Sequence, residues 1–353
     1  MQSRYRKITR GIFKPWLVVI KGIFLLILTA TVPLAEEVSP DYNHGLGTLQ
    51  MLSQSPAQSL RLTLPMVVPG DIKPGWGTHI HSTWTNMWAN EKEYLLDYEM
   101  LDTLLVVSYG FDTRLGISVA FNNRDYFGGE MDGFIQSFHD LFGISQDGRD
   151  DAPKDRKIVR LFDPQTGQTT AELSAHDLCN NSIDLLVNYN ISHGSQTWPS
   201  LNAYGVVSYS LDAADLFKDD NQADFGFGLG SAKQWSKRWY TYVAVGFSIF
   251  DDWEMRDSNA SVKRIDFEDL QFTGMFSLSW LYTPTFAIIA QYLYDGPAID
   301  NIDKLDKPSH EIHLGFKWNA RSYGMIEFAL IENIITLDNS PDFGLHLGWS
   351  YVF

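Results

Sequence analysis

Asp342-Phe-Gly-Leu-His-Leu-Gly-Trp-Ser-Tyr-Val-Phe353 decides the fold of this chain. Phe343, Leu345, Leu347, Trp349, Tyr351 and Phe353 take every second position, and Gly344, His346, Gly348, Ser350 and Val352 fill the places between. Successive side chains of a strand point to opposite faces, so the segment has one apolar face and one mild face. It is about as long as a tilted strand crossing a bilayer, ~9–11 residues. A helix would scatter these residues around its axis.

The same parity recurs upstream in Phe272, Phe276, Leu278, Trp280 and Tyr282, and in Trp239, Val243, Val245, Phe247 and Ile249. Trp76, Ile80, Trp84 and Trp88 share one face of another such run, with Gly77, His79, His81, Thr83 and Thr85 on the other. The pattern predicts twelve strands, near 76–90, 93–109, 113–125, 178–191, 199–211, 223–233, 237–250, 266–282, 285–294, 309–319, 322–332 and 342–353. Within 93–109, Tyr94, Leu96 and Tyr98 oppose the parity of Leu101, Leu105 and Val107, and a bulge near Met100 is expected to reconcile them.

The links between these strands alternate in length, except that the first external link, around Glu91-Lys92, is short. Residues 110–112, 192–198, 233–236, 283–284 and 320–321 are short, whereas 126–177, 212–222, 251–265, 295–308 and 333–341 are longer. Tight turns on one side and long loops on the other are what an outer-membrane barrel needs. A soluble sandwich has no reason to sort its links this way. The fold class is therefore all-β, a transmembrane antiparallel β-barrel of about twelve strands, with one short helix in a long external loop. The final aromatic resembles the C-terminal signal of bacterial outer-membrane barrels, which implies the barrel-assembly machinery as a partner through Phe353.

Composition agrees. The 353 residues carry 27 Lys+Arg against 43 Asp+Glu, a formal charge of −16, which excludes nucleic acid as a partner. Trp 11, Tyr 16 and Phe 22 supply enough aromatics for two interfacial girdles. Cys179 is the only cysteine, so no disulfide forms within the chain. A barrel needs none, because its hydrogen-bond ladder closes on itself.

The N-terminus carries Arg4, Arg6, Lys7, Arg10, Lys14 and Lys21 without an acid, then the apolar run Gly22–Val32, then Pro33-Leu-Ala35. That order is a signal peptide over 1–35. An uncleaved anchor is the alternative, although Lys21 interrupts its apolar zone. Residues 36–59 show little periodicity, and 60–75 are apolar but broken by Pro65, Pro69 and Pro74, which bar them from a central strand. Together, 36–75 are expected to form a periplasmic lead-in to a barrel over 76–353.

In the longest loop, 126–177, Phe134, Phe138, Leu141 and Phe142 recur at helical spacing, so 131–142 should form an amphipathic helix ended by Gly143. An aromatic stripe left in water forfeits roughly 1.5–3 kcal/mol per large side chain, so it must cover either the barrel mouth as a lid or the outer leaflet. Asp132, His139, Asp140, Arg149, Asp150, Asp151, Lys154, Asp155 and Arg156 surround it with both charge signs, suited to fixing the loop or to meeting a ligand. Phe127-Gly-Gly-Glu-Met-Asp-Gly-Phe-Ile-Gln-Ser-Phe-His-Asp-Leu-Phe-Gly-Ile144, Gln146–Arg156 and the early Pro69-Gly-Asp and Trp84-Thr-Asn-Met-Trp88 resemble the signature of a domain-of-unknown-function family of exported Gram-negative proteins. The resemblance implies an outer-membrane barrel and brings no site residues with it.

Chemistry-bearing residues fall mainly on the face expected to point inward. His79 and His81 lie on the first strand and His346 on the last, which closure makes neighbours; Glu311 and His313 share a face two strands away. Imidazoles beside a carboxylate bind transition metals or shuttle protons, but they are also ordinary hydrogen-bonding furniture of a polar interior. His81-Ser82 cannot form a nucleophile–base pair, because adjacent strand residues face opposite ways. His193-Gly-Ser195 falls in a short turn. The acid pairs Asp150-Asp151, Asp219-Asp220 and Asp251-Asp252 lack a cation-loop spacing. No cofactor motif, catalytic residue or metal site is assigned.

These readings predict a Gram-negative outer-membrane barrel in contact with lipid and lipopolysaccharide, acting as a narrow channel or small-solute uptake pore with the helical loop as its lid. A structural or surface-interaction barrel plugged by its own loop is the alternative. A lipid-acting barrel enzyme is a third.

Overall fold

A computed structural model of the chain describes residues 42–70, 72–129, 131–142, 156–173, 180–212, 222–251, 265–333 and 339–353. The expected leader over 1–35 lies outside them, as do residues 143–155 (with Arg149, Asp150 and Asp151), Cys179 and the pair Asp219-Asp220.

Among the described residues, fourteen strands form one sheet. Twelve make the wall: β1 (Gly75–Asn90), β2 (Tyr94–Gly110), β3 (Leu115–Phe127), β6 (Asn180–Ser192), β7 (Ser200–Asp212), β8 (Ala223–Gln234), β9 (Trp239–Ile249), β10 (Leu270–Thr283), β11 (Phe286–Asp295), β12 (Ser309–Asn319), β13 (Met325–Asn333) and β14 (Phe343–Val352). Each is antiparallel to its neighbours, and β14 returns to pair with β1, from Gly77 opposite Val352 to Asn86 opposite Phe343. The twelve-strand cylinder expected from alternation is closed, and its bounds follow the predicted strands within a few residues. The remaining two, β4 (Ile158–Phe162) and β5 (Thr169–Leu173), form a hairpin within the longest loop, joined edgewise to the start of β2. They are too short for the alternation to reveal.

Side-chain parity sorts cleanly. Leu105, Val107, Val119, Leu185, Leu229, Val243, Val245, Phe276, Ile288 and Leu347 stand exposed on the outer wall. Trp76, Trp198, Trp235, Trp239 and Tyr323 stand exposed near the tight turns, at the level of a girdle. Such a surface is costly in water at roughly 25 cal/mol per Å2 and costs nothing against hydrocarbon.

β1 and β2 pair without a register shift from Gly75 opposite Gly110 to Asn90 opposite Leu95, so no bulge interrupts β2 at Met100. The parity change has another cause. Leu105 and Val107 face outward, whereas Leu96, Tyr98 and Met100 face inward and join Leu60, Met87, Tyr94, Tyr126, Val159, Leu161, Ile299 and Leu305 in an apolar cluster that fills the loop end of the cylinder. Apolar side chains change sides because their apolar partner does. Register shifts occur instead at Asn181/Ser182, Asn190/Ser192 and Leu281/Thr283.

Residues 42–70 depart most from expectation. They do not lie outside the barrel but run within it as a long hairpin without strands. Asn43, at the tight-turn end, donates to Ser200 Oγ at 3.1 Å and accepts from the Gln234 N–H at 3.0 Å. The chain climbs to the loop end, where Ser55 Oγ donates to the Asn339 carbonyl and Gln58 Nε2 to the Gly296 carbonyl. It turns through a short 3-10 helix, Gln58–Leu60, and descends to β1. Prolines bar it from a ladder, so inward side chains of the wall satisfy its backbone. Glu327 accepts from the Gln50 N–H, Glu311 from Gln54 and Asp224 from Leu62, while Asn180 donates to the Leu60 carbonyl and Gln291 to that of Leu49. Leu62, Leu64, Met66 and Val68 pack against Tyr204, Val206, Tyr242, Ala244 and Met275.

Candidate functional site in the lumen

Inward glycines make room for this inner hairpin. In Phe225-Gly-Phe-Gly-Leu-Gly230 every glycine points inward; a methyl group on Gly226 would land on Leu64 and Val206, and one on Gly230 on the Val67 carbonyl. That alternation of aromatic or Leu with Gly was the sequence signal that something occupies the interior. Two arginines then fix the hairpin, one from each side of the contact. Arg61 reaches Asp224 at 2.9 Å and also donates to the Asp251 carbonyl. Arg124 lies 3.4 Å from Asp102 and donates to the Ser59 carbonyl and to Thr63 Oγ1.

Nearer the tight-turn end the hairpin stands off the wall. A cavity of about 390 Å3 lies between it and strands β1–β3, β6, β7 and β12–β14. Leu46, Leu49, Met51, Leu52, Pro65, Met66, Val67, Ile72, Leu104, Val106, Leu186 and Val206 line it with apolar surface, and its polar lining includes His79, His81, Lys317 and Glu327. Gly77, Gly110, Asn319, Arg321, Gly324 and Val352 place its mouth at the tight-turn end. A second, polar cavity of about 20 Å3, lined by Arg61, Asn122, Arg124, Asn180, Ser208 and Asp224, meets the larger one at Thr63 and Asp184. It has room for about one water molecule.

Closure of the barrel brings three of the predicted residues into one cluster and separates the other two. The ring of His79 stacks on that of His81 with centroids 6.1 Å apart, and His81 lies 5.6 Å from His346. Glu327 joins them: its Oε1 is 3.1 Å from His81 Nδ1 and 2.9 Å from His346 Nε2, and its Oε2 is 3.0 Å from Lys317 Nζ. Thr83 Oγ1 is 2.8 Å from the remaining nitrogen of His346. Glu327 and Lys317 were not singled out from the sequence, though both sit at inward parity on their strands. Glu311 and His313 form a separate buried pair at 3.1 Å, with Ser53 Oγ and the Gln54 N–H donating to Glu311.

The helix α1 (Asp132–Phe142) forms as expected but does not lie over the mouth. Met131 and Ile135 pack with Phe343, Trp84, Leu330 and Leu345, all at outward parity, and Phe134 meets Phe343 edge to face at 5.5 Å. Asn86 donates to Asp132 at 3.1 Å; Glu99 accepts from the Met131 N–H and the Trp84 indole. The helix therefore rests on the outer wall, across the β14–β1–β2 seam. The aromatic stripe had two places to be buried, and the outward-facing Phe343 and Trp84 supply the apolar one. The side chains of Phe138, His139, Asp140 and Phe142 lie outside the described residues, and Arg156 is exposed. His193 contacts Thr113, and Ser195 Oγ accepts from the Thr197 and Trp198 N–H groups, so both serve their turns.

Residues 23–353 match the family described as "Protein of unknown function (DUF3187)". The chain belongs to this family. No curated protein matches this DUF3187 chain in sequence. Among solved structures it is similar to the COG4313 outer membrane channel from Pseudomonas putida F1, at 13% identity and a TM-score of 0.48, covering 81% of this chain and 100% of that one. The transport unit of the autotransporter AIDA-I from Escherichia coli matches at 9% identity and a TM-score of 0.48, over 84% of this chain and 95% of its own. The P. putida toluene transporter TodX matches at 10% and 0.36, over 79% and 89%.

Proposed function

We propose that this protein is a Gram-negative outer-membrane channel for small solutes, held shut by its own N-terminal hairpin rather than by the helical loop. The observation that carries this reading is the cavity of about 390 Å3, open at the tight-turn end and stopped at the loop end by the apolar cluster around Leu60, Tyr98 and Ile299. Its apolar walls and polar floor suit a small, largely apolar solute with one polar group. Tight turns face the periplasm in this reading, the acidic loops face lipopolysaccharide, and Phe353, exposed at the end of β14, engages the assembly machinery.

Planar-bilayer conductance tests it. The full chain should be nearly silent, and a chain lacking residues 42–70 should conduct. A structural barrel is the second reading, favoured by the complete burial of Asn43, Thr48, Gln54, Ser55 and Val68 along the hairpin. Silence of both proteins, with both folded, would select it.

A further inference from the structure

We infer that His81, Glu327 and His346 form a binding site for a divalent transition-metal ion of the Zn2+ class, set on the polar side of the lumen cavity. The three ligand atoms all lie within 4.8 Å of one another and all three residues are buried. Ions of this class sit about 2.0–2.2 Å from imidazole nitrogen and carboxylate oxygen, which places ligand atoms roughly 3–3.5 Å apart. The 3.1 Å and 2.9 Å separations from Glu327 Oε1 are close to that spacing. Two imidazoles and one carboxylate suit Zn2+, Cu2+ or Ni2+ rather than Mg2+ or Ca2+, which take oxygen.

Hydrogen bonds alone account poorly for the cluster. Glu327 Oε1 has three nitrogens near 3 Å: His81 Nδ1, His346 Nε2 and the Gln50 N–H. One carboxylate oxygen offers two lone-pair directions. An ion between Oε1 and the two rings turns both ring nitrogens from donors into ligands and leaves Oε1 to the ion and Gln50. The supporting shell is present as well. Thr83 Oγ1 is positioned to accept a hydrogen bond from His346 Nδ1–H, and Lys317 occupies Oε2, which restricts Glu327 to one-oxygen coordination. Gly348 keeps the space that Glu327 fills, since a Cβ there would sit 2.5 Å from Glu327 Cγ. His81 and Glu327 line the cavity, so the remaining coordination position opens toward solute or water.

The experiment is titration of the chelator-stripped full chain in detergent with Zn2+, followed by calorimetry, and with Co2+, followed by its visible absorption. One ion per chain is expected, with the intense absorption of a low-symmetry Co2+ site. His81→Gln and His346→Gln should each weaken binding on the order of tenfold or more, since they remove ligands where outer-shell changes alone cost ~10–100-fold. Exchange of the outward-facing His310 should change nothing. Heat-modifiable migration on gels confirms that each variant is folded. A wild-type protein that binds no ion overturns the inference whatever the variants do. So does binding that survives the double exchange of His81 and His346. Neither result bears on conductance, so this site and the channel stand or fall separately.

Discussion

Arg61 of the inner hairpin lies 2.9 Å from Asp224 of the wall, and their side chains are only 5% and 4% exposed. Asp224 also accepts from the Leu62 and Asp251 N–H groups, so one carboxylate ties hairpin, wall and loop together. Removing one member of a buried pair strands the other charge, at a cost of about 3–5 kcal/mol. Asp224→Ala should therefore lower the urea midpoint and expose the hairpin to protease. Pairing Arg61→Met with Asp224→Asn should recover most of the loss. An unchanged midpoint in Asp224→Ala would show that the hairpin is held elsewhere.

Gly226 faces only side chains, so a larger residue there presses on the hairpin and spares the ladder. Gly226→Val should destabilise by about 1–3 kcal/mol through overpacking against Leu64. In a Cys179→Ala background, Val68→Cys, a buried hairpin position away from that contact, should be alkylated faster when Gly226→Val is present. Equal rates would place the hairpin's resistance outside this contact.

The helix on the outer wall makes a different forecast. Phe343 is fully buried beneath it, and Phe→Ala at such sites costs about 3–5 kcal/mol. Much of that loss should be local, seen as faster hydrogen exchange over residues 132–137 in Phe343→Ala. Conductance should stay at the wild-type level, as it should after deletion of 127–156. A current appearing in either variant would restore the helix to the role of gate.

The turn between β2 and β3 adds a pH-dependent term. The Leu115 and Arg114 N–H groups donate to Asp112 and hold its carboxyl below the usual carboxylate range. A depressed value stabilises the fold above the ordinary carboxylate pKa of about 3.9, and the benefit fades as pH falls through the lower folded value. Asp112→Ala should cost roughly 0.5 kcal/mol at pH 7, a small figure because the turn is open to water. Unfolding curves of the two proteins should converge in strong acid. A gap that persists there would assign the effect to packing.

Alternation exposed the cylinder because lipid outside and protein inside impose a period of two on every wall strand. It read Trp84 and Phe343 as outward without knowing that a helix covers them. It grouped His81 with His346, because closure makes the first and last strands neighbours. Glu327 and Lys317 obey the same parity, but two inward charges on different strands meet only once the register is known. The descending arm of the inner hairpin does alternate, in Leu62, Leu64, Met66 and Val68, but Pro65 and Pro69 masked it by barring a ladder. The hairpin's polar partners are individual side chains at irregular intervals. Its imprint lay instead in the wall, in Gly226, Gly228, Gly230 and Gly246, where a Cβ would collide with Leu64, Tyr204 or the Val67 carbonyl.

Both arms of the hairpin leave through the mouth by which they enter: Asn43 sits beside Ser200, and the His44 ring meets the Pro69 carbonyl at 2.7 Å. The segment is thus a bight pushed into a tube, not a rope passed through it. Such a bight is topologically free. First and last strands can zip before or after it goes in, and it can be withdrawn without unzipping a single rung.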